Sequence, residues 1–246
     1  MRFKGVLPLV LVAFGMALLA SPAFADDSSQ SQSILDPAGP QAQHISDLWF
    51  IILIPALIVL VFVGGAIIYA AFRFRAREGV DALPKQIGGN NALEFTWTLV
   101  PALILLSIFL VSATQLPFLR HTPSEAADAM HIKVLGSQWI WNFSYPGLKH
   151  PYPATMIIPA DEVVNLDIDS KDVIHSFSVP RLAGRLDAIP GKHNFMWIQA
   201  SPGTYYGQCT EFCGKAHATM TITVKAIPRD QFDRWYSQQP RAQGGA

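Results

Sequence analysis

Charge is scarce in this chain. Of its 246 residues only 15% are Asp, Glu, Lys or Arg, and 18 basic residues balance 18 acidic ones. A chain without net charge has no bulk attraction for a polyanion, which removes nucleic acid from the candidate partners. Cysteine is scarcer still, with two residues, both in one short stretch. No Cys-x-x-Cys-His occurs, so the chain carries no covalently attached haem. No repeat of solenoid period is present either. What is plentiful is apolar: hydrophobic residues make up 50% of the chain and the mean hydropathy is +0.27. That balance points to a membrane protein.

Three apolar runs set the expected topology. The first, Val6 to Ala20, follows Arg2 and Lys4 and precedes "SPAFA", the order of zones in a secretory signal peptide, with cleavage expected after Ala25. The second, Leu48 to Phe72, and the third, Phe95 to Leu116, contain no charged residue, and each meets the roughly 20 residues needed to cross a bilayer as a helix. Arg73, Arg75, Arg77 and Lys85 lie between them, whereas Asp26 to Asp47 contains no Lys or Arg. The connecting loop, 73–94, is therefore expected in the cytoplasm, and both the outward segment 26–47 and the C-terminal domain on the opposite face. Trp49 and Trp97 sit where amphipathic rings anchor at headgroup depth. Pro101 is expected within the first two turns of its helix, and Pro55 inside the other.

From about residue 117 to 240 the pattern changes to short alternating runs such as "HIKVLGSQWIWNF", "TMIIP", "VVNLDID", "VIHSFSV" and "TMTITVK", separated by "SYPG", "IPGK" and "SPG". About seven strands punctuated by turns predict a sandwich or barrel. Alternation places Trp139 and Trp141 on one strand face. Phe232, Trp235 and Tyr236 at helical spacing predict a short terminal helix packed on the barrel, and residues 241–246 a disordered tail. The expected fold is thus a membrane-anchored all-β protein, a two-helix transmembrane hairpin followed by a β-barrel.

The chemistry concentrates in "CTEFCGKAHATM", which gathers Cys209, Cys213, His217 and Met220. Two cysteines in an exported domain alone would suggest a disulfide. Paired cysteines with a histidine also suit structural zinc, but a thioether is foreign to its usual set. A blue-copper site takes two His, one Cys and a weak axial Met, leaving one thiolate too many. The surplus has a purpose if two sulfurs bridge two copper ions, each with one terminal imidazole. His217 supplies one. Among His44, His121, His131, His150, His175 and His193, His175 stands out because "VIHSFSV" sets it in an apolar strand, where an unpartnered imidazole is costly to bury.

These segments resemble subunit II of the cytochrome c oxidase family, with its binuclear copper A centre. "CTEFCGKAHATM" matches the family's Cys-x-Glu-x-Cys-x-x-x-His-x-x-Met at every specified position, and "DVIHSFSVPRLAGRLDAIPGK", "NNALEFTWTLVPALIL" and "GSQWIWNF" extend the likeness over nearly the whole mature chain. The resemblance implies that the barrel is a cupredoxin, that Cys209 and Cys213 bridge two coppers, and that His175 and His217 each bind one. Met220 would be a weak ligand of one copper and the backbone carbonyl of Glu211 of the other, with the Glu211 side chain on a magnesium or manganese ion at the contact with subunit I.

The same resemblance makes Trp139 the point where electrons arrive from cytochrome c, and Glu94 the mouth of a proton path into subunit I. A carboxylate at that place equally suits the positive end of a helix dipole. Asp187, near the subunit boundary, is expected to hydrogen-bond. The implied partners are subunit I, the other oxidase subunits, cytochrome c and the lipid bilayer of a bacterial-type inner membrane. The implied activity is electron delivery to haem in subunit I, where oxygen becomes water with proton pumping. The chain departs from the family at Ser137, where a histidine is common. A copper-storage protein needs one anchor at most, and the catalytic domain of nitrous oxide reductase would not fit this length. The quinol oxidase barrel lacks the copper ligands. From Pro117 onward 12 basic residues face 11 acidic ones, so donor steering would need a local patch, with Asp161, Glu162, Asp167, Asp169 and Asp172 as candidates.

Overall fold

The computed structural model describes residues 31–75, 86, 88–123 and 129–242. The expected signal peptide, half of the expected cytoplasmic loop (76–85 and 87) and the last four residues lie outside them. Helix α1 spans Pro40–Arg73 and helix α2 Asn91–Arg120. Both are long and apolar enough to cross a membrane, and no residue of their most apolar windows is buried in the isolated chain.

The helices overrun the apolar runs at both ends. At about 1.5 Å per residue, the 34 residues of α1 are far longer than a hydrocarbon core of about 30 Å needs. The surplus lies at its N-terminus, where Gln41, Ala42 and Ser46 are buried against the β domain. Helix α2 starts earlier than its apolar run because Asn90 caps it, its side chain accepting from the Ala92 and Leu93 N–H groups. Glu94 Oε1 in turn accepts from the Asn90 N–H at 3.2 Å, so the bonds run both ways as in a capping box, but from the fourth helical residue rather than the third. Pro101 consequently falls in the helix interior rather than in its first two turns, as do Pro55 in α1 and Pro117 in α2.

Ten strands follow: β1 His131–Ser137, β2 Ile140–Ser144, β3 Tyr152–Pro153, β4 Thr155–Pro159, β5 Val164–Ser170, β6 His175–Ser178, β7 Arg185–Ala188, β8 Asn194–Ile198, β9 Gly203–Cys209 and β10 Thr221–Ile227. They form two five-stranded sheets, ordered β3-β2-β1-β5-β8 and β4-β10-β9-β6-β7. The β1–β5 and β4–β10 pairs are parallel and the others antiparallel. Alternation along β1, β2 and β10 sends Ile132, Val134, Trp141, Phe143, Ile222 and Val224 into the core between the sheets. The count exceeds the seven expected because "GSQWIWNF" is a hairpin rather than one strand, and because β3 and β7, "RLDA", are only two and four residues long.

That hairpin also separates the two tryptophans. Trp141 is buried in β2, whereas Trp139 lies in the turn and is 37% exposed. The strand alternation that would have paired them stops at Ser137.

Helix α3, Arg229–Ser237, packs as expected, with Phe232 buried and Trp235 5.2 Å from the Tyr145 ring. The Tyr145 hydroxyl donates to the Ile157 carbonyl at 2.9 Å and accepts from the Ile157 N–H at 2.7 Å. It thereby satisfies the outer groups of β4, an edge strand. Arg241 and Ala242, at the start of the expected tail, lie against the β domain. Lys149 N–H donates to the Pro240 carbonyl and Ala242 N–H to the Gly147 carbonyl, and the Arg241 guanidinium stacks 4.7 Å from the Tyr236 ring.

Candidate metal centre

Strands β6, β9 and β10 converge at one end of the second sheet. His175 opens β6 and is fully buried. Cys209 closes β9, its N–H donating to the Met220 carbonyl at 2.9 Å, while Thr210 N–H donates to the Ser176 carbonyl at 3.0 Å. These bonds pin both ends of the loop that carries Glu211 and Cys213. Gly214 turns the loop back at φ +117°, a conformation that L side chains rarely adopt. A single 3₁₀ turn, His217–Thr219, then returns His217 to the sulfurs.

The result is a close cluster of six donors. The two Sγ atoms are 3.9 Å apart, well beyond a disulfide's roughly 2.05 Å, and both cysteines are free and buried. His175 Nδ1 lies 3.9 Å from Cys209 Sγ, and His217 Nδ1 3.5 Å from Cys213 Sγ. Met220 Sδ is 3.8 Å from Cys213 Sγ, and the Glu211 carbonyl 3.3 Å from Cys209 Sγ. Burial, and then the neighbouring Cys209, push the Cys213 thiol up to about 11, so the sulfur keeps its proton until a cation displaces it. Thiolate, imidazole and thioether donors together suit copper.

A surrounding layer of hydrogen bonds holds these donors. Asp172 Oδ1 is 2.8 Å from His175 Nε2, which leaves Nδ1 free to face the sulfurs. The same carboxylate accepts from the Gln138 N–H at 2.8 Å and the Val173 N–H at 2.7 Å. Burial raises its proton affinity, but these hydrogen bonds and the imidazole outweigh that effect and hold the carboxyl below its ordinary value. Gln138 Nε2 and Trp139 Nε1 both donate to the Cys213 carbonyl, at 2.8 and 3.1 Å. The β1–β2 turn therefore touches both halves of the cluster. Asp187 hydrogen-bonds as expected, accepting from the Ser176 hydroxyl at 2.8 Å.

The cluster thus unites His175, Cys209, Cys213, His217, Met220 and the Glu211 carbonyl, with Trp139 one hydrogen bond away. Glu94 lies elsewhere, near the far end of α2, whose C-terminal Phe118 meets the β domain through Trp197. Along the helix that is a separation of roughly 36 Å at the standard rise. Sequence reasoning missed the roles of Gln138 and Asp172. The position of Asp172 three residues before a buried histidine was the available signal. The acidic patch is largely engaged internally: Glu162 pairs with Arg229, Asp167 with His131 and Asp169 with His193.

Two bilayer-length helices leading into a two-sheet β domain with a buried thiolate–imidazole–thioether cluster define a membrane-anchored, cupredoxin-like metalloprotein. Residues 28–114 match the family described as cytochrome c oxidase subunit II, transmembrane domain, and residues 151–227 its periplasmic domain. The chain belongs to the cytochrome c oxidase subunit II family, with two transmembrane helices and a periplasmic C-terminal domain.

The cytochrome c oxidase subunit 2 of Alkalihalophilus pseudofirmus is 36% identical over 210 residues, 84% of this chain and 61% of that one. The chain therefore spans less than two thirds of that relative's length. The subunit 2 of Arabidopsis thaliana is 30% identical over 85% of this chain and 90% of its own. The solved periplasmic domain of cytochrome oxidase subunit II from Bradyrhizobium japonicum is 32% identical over 45% of this chain and 92% of its own, with a TM-score of 0.43.

Proposed function

We propose that the chain accepts electrons from a cytochrome c at a binuclear copper A centre and delivers them to haem in a partner subunit I, as the electron-receiving subunit of a proton-pumping oxidase. The observation that carries this reading is that two unlinked, buried thiols 3.9 Å apart are each faced by a different imidazole. One copper ion leaves a thiolate unused, whereas two ions use every donor.

When bound, the copper pair would share a single unpaired electron and so carry charge with little change in its ligand geometry. The chain's own residues would do the rest. Cys209 and Cys213 would bridge, His175 and His217 would hold one ion each, and Met220 and the Glu211 carbonyl would complete the two sites. Asp172 holds the His175 tautomer and ring. The buried thiols exclude water, and strands on both sides keep the donors from moving when the charge changes. Trp139 is exposed to a donor on one side and bonded to the Cys213 carbonyl on the other, a short covalent and hydrogen-bonded route inward. The Glu211 carboxylate remains available for magnesium or manganese at the contact with subunit I. Glu94 would serve a proton path in subunit I while it caps α2.

Copper analysis and electron paramagnetic resonance of the purified oxidase test the reading. Two coppers in this subunit, with hyperfine splitting from two equivalent nuclei, are expected. A spectrum accounted for by one copper, or stable zinc in its place, would sink it.

A further inference from the structure

The metal cluster occupies one part of the β domain, and a second network on the same domain has no evident part in holding metal. It runs from the segment before α1 onto the loop after β6. Asp36 forms an ion pair with Arg181 at 2.9 Å, and Arg181 Nε donates to the Asp36 carbonyl at 2.8 Å. Ala38 N–H donates to the Arg181 carbonyl at 2.7 Å, Ser201 N–H to the Ala38 carbonyl at 3.3 Å, and Ala42 N–H to the Leu182 carbonyl at 3.3 Å. Gln41, itself buried, donates to the Trp197 carbonyl at 2.8 Å.

The fit at Gly39 is tight. A Cβ added there would lie 2.2 Å from the Gln199 carbonyl oxygen and 3.0 Å from that of Leu182. Both are backbone atoms, so no side-chain rotation relieves the clash. Just beyond, the His44 ring lies 4.0 Å from that of Phe118 of α2, tilted by 36°, and bonds to Gln115 at 2.9 Å, while Phe118 meets Trp197 of β8 edge-on at 5.4 Å. The start of α1, the end of α2 and the β domain therefore meet in one packed joint.

A domain tethered by one linker swivels by default. Here the chain is fastened twice, by the connection after α2 and by this strap. The strap grips Arg181 and Leu182, in the loop that leaves β6, the strand that opens with His175.

We propose that the strap from Asp36 to Ala42 fixes the height and angle of the metal centre above the membrane hairpin, with Asp36, Gly39, Gln41 and Arg181 acting as positioning residues for onward electron transfer. The inference rests on the copper A reading above and adds to it the means by which this chain sets the distance to its acceptor. None of the four residues reaches a metal ligand, so their loss acts on placement and leaves the centre itself intact.

The test uses the intact oxidase carrying Gly39→Ala, which forces the strap away from the β domain. Three quantities are read: hydrogen exchange of the peptide containing Ala38 and Ala42, the paramagnetic spectrum of the copper centre, and the separate rates of copper reduction and of internal transfer to haem. Faster exchange, an unchanged spectrum, unchanged copper reduction and a loss of internal transfer rate are expected, since electron transfer between two fixed centres falls off steeply with their separation. Arg181→Gln, which removes the ion pair but leaves the backbone bonds, should give a smaller slowing in the same step, and it is read alone if Gly39→Ala does not assemble. Faster exchange with an unaltered internal rate would overturn the proposal, as would a slowing confined to copper reduction. If the unmutated oxidase lacks a two-copper spectrum, the copper A reading fails, and that failure is visible before any variant is made.

Discussion

Replacing Asp172 isolates the contribution of the hydrogen-bond layer around the cluster. Its carboxylate bonds to the buried His175 ring and accepts from two backbone N–H groups. Asp172→Ala leaves the Nε2 side of a fully buried imidazole without its partner and frees the ring to turn. Losing the partner of a metal-bound histidine typically costs 10–100-fold in metal affinity, which is about 1.4–2.8 kcal/mol. Asp172→Asn keeps one oxygen for the imidazole but offers an N–H₂ where the second oxygen accepted the Gln138 N–H, so its loss should be intermediate. The assay is copper competition against a chelator in the metal-free full chain in detergent, with the spectrum recorded at each step. Equal affinity in all three proteins, with the same spectrum, would refute the reasoning. Because the folded-state carboxyl sits below its ordinary value, its contribution to stability is present above about pH 4 and disappears as pH falls further. The Ala variant should lack that acid-side component.

Further tests address the route, the helix cap and the core. Trp139→Ala should slow copper reduction by cytochrome c severely at every ionic strength. Neutralising Asp161 should matter only at low salt, because exposed charges are screened within about 10 Å at 0.1 M; stopped-flow across a salt series separates the two. Glu94→Gln keeps an oxygen for the Asn90 N–H, so assembly should be unchanged, and slower proton uptake would then report on the path into subunit I and not on the cap. Tyr145→Phe strands the Ile157 N–H and carbonyl and should cost about 1–3 kcal/mol in denaturant unfolding. Burial pushes the Tyr145 phenol well above its ordinary value. Its stabilising part is therefore intact below about pH 10 and lost as the pH rises further, a decline that the Phe variant should not share.

The metal cluster was legible because its chemistry is local. Five of its donors fall within Cys209 to Met220, and residue types alone restrict the ion. His175 was legible for a different reason, a polar ring in an apolar strand. The helices were found by their apolar runs, but their ends were not. Hydropathy cannot register the polar first turns of α1, which are buried by the β domain, nor the Asn90 cap of α2. Strand β7 escaped because "RLDA" is only four residues long, too short for its alternation to register, and it exists through its pairing with β6. The hairpin turn at Gln138 and Trp139 was invisible for want of a Gly or Pro, and the strap contacts join residues more than a hundred positions apart.

The burial of Cys209 and Cys213, each 3% exposed, bears on how the centre is loaded. A folded domain with its ligand loop closed offers an incoming ion almost no sulfur to grasp. Loading therefore belongs to a moment when the stretch between β9 and β10 stands open, either before the sheets have finished pairing or in a local opening of the mature domain. Phe212, 78% exposed in that stretch, lies on its outer side with its ring 5.7 Å from that of His217. An ion held by both His175 and Cys209 would tie β6 to β9 across the sheet and would resist the reopening of the same loop that had to open to admit it.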